Sequence, residues 1–219
     1  MRLVSILICG ALVAGCSGGG NKSSGAANPS GSGSQVATQS AGGIWRGFPA
    51  ANENLSLYIA ETGELIVQGS SFATTPPVLT FGTGALIVNN PNDVAGTYRS
   101  RSLPPTIPSA GQTCEIDGTV TERSLLEVTI RCTDTAGNMT ERNVTLLYDP
   151  AYDTDSSLAE IAGNYTVPFR PLTNILNINA SGVVFGMLDN GPNCTVNGQV
   201  QIIDARFNLY RFELQLSLC

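Results

Sequence analysis

The segment TCEIDGTV at residues 113–120, followed after four residues by LLEVTIRC at 125–132, decides the fold class of this chain. Apolar or small side chains alternate with polar ones along most of both segments. A period of two residues is typical of a β-strand with one buried face. The connection between the segments includes Arg123 and is short enough for a tight turn. Together they predict an antiparallel hairpin centred on Arg123.

The register of this hairpin predicts a disulfide. With the turn centred on residue 123, Cys114 faces Cys132 and Ile116 faces Ile130, so the apolar members of both strands share one face. Directly opposed residues in a non-hydrogen-bonded antiparallel pair lie about 4.5 Å apart at Cα, which is within reach of a disulfide. We therefore predict a bridge between Cys114 and Cys132.

Parts of the sequence occur more than once. The motif Cys-x-(Ile/Val)-(Asp/Asn)-Gly-x-Val is found at 114–120 and again at 194–200. The segment LYIAETG at 57–63 aligns with LNINASG at 176–182, and each ends in a Gly suited to the left-handed position of a hairpin turn. A Gly-x-aromatic phrase recurs at residues 43–45, 96–98 and 163–165. These internal repeats indicate two related units.

The rest of the chain fits an all-β protein. From Gly42 onward, apolar runs are short, alternate with polar residues and end at Gly, Pro, Asn or Asp. We predict two related antiparallel units of the small barrel or sandwich type, stapled by disulfides, with one helical turn at 157–160. The expected organisation is a lipoprotein signal peptide at 1–15, a lipidated Cys and Gly/Ser-rich tether at 16–41, a first β unit at 42–148, a linker at 149–160 and a second β unit at 161–219.

The charge composition excludes several classes of function. The 219 residues have a formal net charge of −6 and a single Lys, and the Arg residues are scattered, so no basic surface for nucleic acid is expected. The chain has no His. This excludes Ser-His-Asp and Cys-His nucleophile pairs, His-ligated zinc and His acid–base catalysis. We expect a protein that is not an enzyme and that uses no cofactor.

The first sixteen residues predict that the protein is located in the cell envelope. Arg2 precedes an apolar run at 3–14 that is long enough for a signal peptide and too short for a helix that spans a bilayer. The run ends in Val13-Ala14-Gly15-Cys16, which resembles a bacterial lipobox. The resemblance implies that Cys16 becomes the first residue of the mature chain and carries two or three acyl chains such as palmitate.

The same resemblance implies sorting to the outer membrane, because Ser17 follows Cys16 where Asp would signal retention in the inner membrane. Acyl chains in this number give stable anchoring. Residues 17–41 contain 13 Gly or Ser in 25 positions, and such a tether has a span of about 25–30 Å. The acidic body is repelled by anionic headgroups. We expect a lipid-anchored body in the periplasm or at the cell surface.

Four cysteines are left for disulfides once Cys9 leaves with the signal peptide and Cys16 is lipidated. In an oxidising envelope they predict two bridges, with three possible connectivities. Analogy with the first unit favours a second bridge between Cys194 and Cys219. The apolar face of 210–218 places Cys219 on the polar side of its strand, so this bridge requires a one-residue bulge or a curled terminus.

The candidate metal ligands are four acidic residues of the linker, Asp149, Asp153, Asp155 and Glu160. They fall at positions 1, 5, 7 and 12 of a calcium-loop pattern. Ala151 stands at position 3, and Thr154 stands where the turn of such a loop requires Gly. We therefore predict no metal site and assign these acids to capping of the short helix. A weak calcium site is the alternative.

The remaining candidates carry less information. Sugar sites usually supply several aromatic platforms, whereas this chain has one Trp, so we expect Trp45, Tyr58, Tyr98 and Tyr165 to pack in a core or at a barrel rim. Catalysis by two carboxylates needs a pair about 5–10 Å apart, and the sequence singles out no such pair. The loop at 102–111 is the least constrained connection and is a candidate binding loop.

The block that begins at Leu147-Tyr148-Asp149-Pro150 and runs through the Gly-Asn-Tyr phrase at 163–165 to the Cys194 motif resembles an uncharacterised family of gamma-proteobacterial envelope lipoproteins. The resemblance covers most of 43–219, implies an envelope location and brings no established activity. A looser likeness exists to small β-barrel lipoproteins that inhibit lysozyme, but residues 180–184 lack the basic residue of their inhibitory Ser-Gly loop.

These observations predict a non-enzymatic, lipid-anchored binding or structural module of the outer membrane. Such a module would meet an envelope protein partner through edge strands or through the 102–111 loop. One alternative is a carboxylate-dependent periplasmic hydrolase, which requires a cleft with two acids, one of them with a raised pKa. The other alternative is a calcium-stabilised spacer built on the linker acids.

Overall fold

Strands account for nearly all the regular structure of the chain, so the all-β prediction is confirmed. The computed structural model describes residues 4–7, 39–73, 78–103, 111–169, 172–188 and 194–217. Its elements are β1 Val4–Leu7, β2 Gly43–Gly47, β3 Glu53–Ile59, β4 Glu64–Ser71, β5 Val78–Asn89, β6 Asp93–Leu103, β7 Gln112–Thr121, β8 Leu125–Thr133, β9 Met139–Asp149, a 3₁₀ helix Pro150–Asp153, β10 Gly163–Phe169, β11 Leu172–Ile178, β12 Val183–Leu188, β13 Cys194–Ile202 and β14 Tyr210–Ser217.

Strands β2 to β9 form a closed antiparallel barrel of eight strands. Each strand pairs with the next along the chain, and β9 returns to β2, where Trp45 lies opposite Tyr148. Closure removes the open sheet edges, and every second residue of each strand then points into the interior. This barrel is one of the two antiparallel units that the sequence predicts.

One end of the barrel interior is packed and covered, and we call it the closed end. Trp45 is fully buried, and its Nε1 donates to the carbonyl oxygen of Ala41 at 2.9 Å. The segment ahead of β2 covers this end. Its Gln39 N–H donates to the carbonyl of Pro91, and the Gln39 Oε1 accepts from the N–H of Glu122, both at 2.8 Å. Buried aliphatic residues fill the space above, among them Ile59, Leu65, Leu86, Val94, Val120 and Leu126.

The hairpin predicted at 113–132 is present in the expected register. In the pairing of β7 with β8, Cys114 lies opposite Cys132 and Ile116 lies opposite Ile130. Arg123 turns the chain with a φ of 53°. The predicted disulfide joins Cys114 and Cys132, whose Cα atoms are 4.0 Å apart. Local alternation and turn position were sufficient to predict this bridge.

The two repeated segments at 57–63 and 176–182 form the same turn. Gly63 and Gly182 have φ values of 85° and 80°, which an L side chain rarely adopts. The carbonyl of Gly63 accepts from the N–H of Leu86 at 2.8 Å, and that of Gly182 accepts from the N–H of Val200 at 2.7 Å. Each Gly therefore ties its turn to the next strand of its sheet.

Strands β10 to β14 form a second antiparallel sheet, separate from the barrel, with β1 paired to the outer edge of β14. One face carries a hydrophobic core made of Ile161, Ile178, Val184, Val200, Tyr210 and Phe212. On the opposite face, Ile175 of β11 and Val183, Phe185 and Met187 of β12 are exposed. Barrel and sheet are therefore two units, as expected from the repeats, with one closed and the other open.

The linker at 149–160 contains the 3₁₀ helix and a hydrogen-bonded turn. The Asp149 carboxylate caps the helix, because its Oδ1 accepts from the N–H of Ala151 at 3.0 Å. At the expected helical turn, the N–H of Glu160 contacts both the hydroxyl and the carbonyl of Ser157 at 3.3 Å. Tyr152 is buried between the units and stacks on Phe207 with ring centroids 4.7 Å apart.

The N-terminal predictions fall mostly outside the described residues. Strand β1 lies within the segment expected to be a signal peptide, whereas Cys16 and the tether as far as residue 38 are not among the described ranges. Within those ranges, no helix has the length and apolar character needed to cross a membrane.

Candidate functional site

Two of the four linker acids, Asp149 and Asp153, pair with arginines. Asp149 accepts from Arg46 Nε at 2.6 Å, in addition to capping the 3₁₀ helix. Asp153 forms an ion pair with Arg123. Asp155 and Glu160 are exposed. Among the described residues, which include the whole linker, no group of three or more His, Cys, Asp or Glu is arranged to hold a metal ion.

The aromatic candidates are divided between the two units. Trp45 packs in the barrel core, as expected for a residue of this kind. Tyr58 belongs to a second hydrophobic cluster, outside the barrel interior, to which residues of both units contribute. Tyr165 lies in the second sheet and donates to the carbonyl of Ile161 at 2.7 Å. Tyr98 is the one of the four that lines the interior cavity at one end of the barrel.

The cysteines of the second unit are described in part. Cys194 is disulfide-bonded, and its partner lies outside the described ranges, as does Cys219. The pairing of β13 with β14 is described up to Thr195 opposite Ser217. The prediction of a bridge between Cys194 and Cys219 therefore falls on residues that the structure does not describe.

The barrel end opposite the closed end holds a cavity of about 360 Å³, which we call the open-end cavity. Most of the candidate loop at 102–111 lies outside the described residues. Its first residue, Ser102, and Gln112, which follows the loop, line this cavity. The loop therefore connects two strands at the mouth. Sequence reasoning located this end of the barrel without identifying the cavity.

The open-end cavity exists because the interior-facing residues become polar toward one end of the barrel. Along β6 the inward positions read Val94, Gly96, Tyr98, Ser100 and Ser102, and along β9 they read Leu146, Val144, Arg142 and Thr140. Aliphatic residues pack against one another, whereas short hydroxyl side chains leave the interior unfilled. Alternation with a period of two residues was visible in the sequence, and this gradient along it was the signal that we missed.

The walls of the cavity combine hydroxyl groups with an aliphatic base. The Ser and Thr residues that line it are Ser70, Ser71, Thr80, Ser100, Ser102 and Thr140. The aliphatic side chains that line it are Leu55, Val67, Val78, Ile130 and Val144. A pocket of this size with an apolar base and a few polar groups is the usual form of a small-ligand site.

One ion pair lies at the mouth, and we call it the rim ion pair. Arg142 Nη1 donates to Glu53 Oε2 at 2.8 Å. The Arg142 side chain is 59% exposed and that of Glu53 is 21% exposed. The described lining residues include no other charged side chain. The described lining therefore has no net charge, and its two opposite charges are adjacent.

Tyr98 and Cys132, one half of the disulfide, line the cavity. Burial raises the pKa of Tyr98 to about 12, although the positive charge of Arg142 opposes this effect. Its hydroxyl is 3.7 Å from Cys132 Sγ. Gly82 makes room for the ring, because a Cβ at that position would lie 2.5 Å from Tyr98 Cδ2. Tyr98 is therefore a protonated, uncharged donor at neutral pH.

A second depression, of about 400 Å³, lies on the outer wall of β2 to β4. It is more open to solvent than the open-end cavity. Three of its polar side chains are engaged with one another or with other residues, since Arg46 pairs with Asp149 and the Tyr58 hydroxyl donates to Gln68 at 3.3 Å. The open-end cavity, which is less open to solvent, is therefore the better candidate site.

Comparison of the chain with protein-family models, with curated proteins and with solved structures finds no match. The arguments for function are therefore the sequence patterns and the geometry of the open-end cavity. That geometry provides a shielded space with donors, acceptors and an aliphatic base. In its described lining it contains one carboxylate, Glu53, already paired with Arg142.

Proposed function

We propose that this protein is a lipid-anchored lipoprotein of the bacterial outer membrane with a non-enzymatic binding role in the cell envelope. The lipobox at 13–16 and the Gly/Ser-rich tether support the anchor and the location. The resemblance to gamma-proteobacterial envelope lipoproteins supports the same compartment. The binding role is supported above all by the open-end cavity of the barrel.

The binding role follows from how eight-stranded barrels are filled. A barrel of this size either packs its interior completely or holds one small ligand. This barrel does both, because its interior is packed around Trp45 at one end and hollow at the other. The hollow end is lined by groups that form hydrogen bonds, so a small polar molecule is the expected occupant. The anchor and tether would hold this site away from the membrane.

A hydrolase that uses two carboxylates is less well supported. Its chemistry needs two acids flanking one bond, and Glu53 is the single carboxylate in the described lining. Hydrogen bonds at the surface lower the pKa of the Asp134 and Asp204 carboxyl groups, which is the opposite of the raised pKa that a catalytic acid needs. A non-enzymatic site accounts for the cavity with fewer assumptions.

The anchor is tested by labelling cells with radioactive palmitate. We expect label on the wild-type protein and none on the Cys16→Ser variant, which should also leave the membrane fraction. The control variant Ser17→Ala keeps the thiol and should keep the label. Labelling of Cys16→Ser would contradict the proposed anchor.

The binding site is tested with a matched pair of substitutions on β5. Thr80→Phe places a large side chain in the open-end cavity, whereas Thr83→Phe places the same side chain on the exposed outer wall. Saturation-transfer NMR with a panel of small envelope solutes should show contacts for wild type and Thr83→Phe. We expect these contacts to be lost in Thr80→Phe. Equal contacts in both variants, or none with wild type, would overturn the proposed site.

A further inference from the structure

We propose that the open-end cavity binds a small zwitterion, an amino acid or a dipeptide, and that the rim ion pair separates to receive it. In this arrangement Arg142 takes the ligand carboxylate and Glu53 takes the ligand ammonium group. The inference rests on the proposed function, because it names the ligand class of the same site. It starts from the fact that the cavity offers one positive and one negative group, side by side.

A zwitterion is the ligand class that leaves no charge unpaired. When Arg142 and Glu53 separate, each loses its partner, and the cost is greater for Glu53, whose side chain is only 21% exposed. An anion would satisfy Arg142 and leave Glu53 unpaired, and a cation would do the reverse. A ligand with both charges replaces one ion pair with two charge-assisted contacts. The carboxylate can also engage two guanidinium nitrogens at once.

The neighbouring charges do not compete for such a ligand. Glu141 adjoins Arg142 along β9 and therefore points to the other side of the barrel wall. It accepts from Arg131 Nε at 2.8 Å on that outer surface. Arg101 follows the inward-facing Ser100 on β6 and is exposed. Among the described residues that line the cavity, the only charged side chains available to the ligand are those of the rim ion pair.

The interior below the rim fits the rest of such a molecule. Aliphatic side chains including Leu55, Ile130 and Val144 can contact an apolar side chain of the ligand. The hydroxyls of Thr80 and Ser102, which lie 3.3 Å apart, can bind a peptide amide group. A volume of about 360 Å³ is at the small end for ligand sites. It suits a dipeptide better than a larger molecule.

Two other ligand classes fit less well. An acyl chain would bring methylene groups against the hydroxyl-lined walls and would carry at most one charge. A neutral sugar would leave the rim ion pair intact, and Tyr98 is the single aromatic side chain in the described lining. Sugars usually stack on such rings. The charges and the hydroxyls together therefore favour the zwitterion.

The experiment measures binding of alanyl-leucine to the full-length lipoprotein in detergent by isothermal titration calorimetry. N-acetyl-alanyl-leucine amide is the neutral analogue, and glucose is the neutral polyol. We expect the dipeptide to bind at least tenfold more tightly than either, because a hydrogen bond to a charged group changes affinity by about ten- to a hundredfold.

Variants assign the effect to the two charges. Arg142→Met and Glu53→Gln should each weaken dipeptide binding at least tenfold. Arg131→Met and Glu141→Gln each remove one charge of an ion pair on the outer wall of β8 and β9 and should leave binding unchanged. Thermal melting of all four variants shows whether the barrel is folded in each.

The outcomes separate this inference from the proposed function. Equal binding of the dipeptide and its neutral analogue would overturn the zwitterion proposal. So would binding that depends on Thr80 but is indifferent to Arg142 and Glu53, and the binding role would stand in that case. If Thr80→Phe alters the binding of no probe, both proposals fall together.

Discussion

Loss of the bridge between Cys114 and Cys132 should destabilise the barrel in a way that the structure allows us to estimate. The two cysteines are separated by 18 positions in the sequence. Closing a loop of that length in the unfolded chain is worth about 3 kcal/mol at 25 °C in the chain-entropy description. Cys114 is completely buried in the barrel core. We therefore expect Cys114→Ala/Cys132→Ala to lower the free energy of unfolding by about 3 kcal/mol.

The assay is urea unfolding followed by tryptophan fluorescence. The chain has a single Trp, Trp45, which is fully buried in the same barrel and reports its unfolding. With a urea m-value of about 2 kcal/mol/M, the midpoint should fall by about 1.5 M. Substitution is preferable to a reductant, because Cys194 is also disulfide-bonded and would be reduced too.

A control and a threshold make the estimate refutable. Thr113→Ala/Thr133→Ala alters the neighbouring cross-strand pair of the same hairpin without touching the bridge. Its midpoint should stay within about 0.3 M of wild type, as exposed substitutions usually do. A loss below about 1 kcal/mol for the cysteine variant, or an equal loss for the control, would refute the loop-closure reasoning.

The remaining predictions concern pH, turn geometry and calcium. Burial raises the pKa of Tyr98 in the folded protein from 10.0 to about 12. The protonated Tyr98 therefore contributes fully to the free energy of unfolding below pH 10, and this contribution is lost as the pH rises toward 12. Between pH 10 and pH 12, the free energy of unfolding of Tyr98→Phe should therefore fall by about 3 kcal/mol less than that of wild type. If urea titrations at the two pH values give equal losses for both proteins, this account is excluded. Gly182→Ala should cost about 1–3 kcal/mol, because φ is +80° and the new Cβ would lie 2.6 Å from a carbonyl oxygen. The control Gly111→Ala has a φ of +83° and open space, and it should cost less when urea unfolding of both units is followed by far-UV circular dichroism. Calcium or a chelator should leave the melting temperature unchanged, since Asp149 and Asp153 are engaged by arginines, and a rise with calcium would instead favour the spacer hypothesis.

Local patterns were enough for the hairpin and its disulfide. The register of β7 and β8 depends on residues close in sequence, and alternation with a fixed turn leaves a single pairing that buries Cys114 and Ile116 together. The repeated turns at Gly63 and Gly182 were predictable for the same reason, because the positive φ is required locally.

The expected linker acids show the limit of sequence spacing. Asp149 and Asp153 fit a calcium-loop pattern in part, yet the structure brings Arg46 and Arg123 against them. Both arginines lie far from the linker in sequence and reach it because the barrel closes beside it. A spacing rule describes one segment and contains no information about charges that arrive from other strands.

By itself, the sequence determined the fold class, the presence of two antiparallel units, the hairpin at 113–132 and the bridge within it. These depend on a period of two residues and on turns, which are properties of neighbouring residues. The tertiary structure alone decided that β9 pairs with β2 and so closes the barrel. Closure brings Glu53 to Arg142 across 89 positions of sequence and creates the cavity beneath them. Alternation says which side chains point inward, but only the closed ring decides which of them meet.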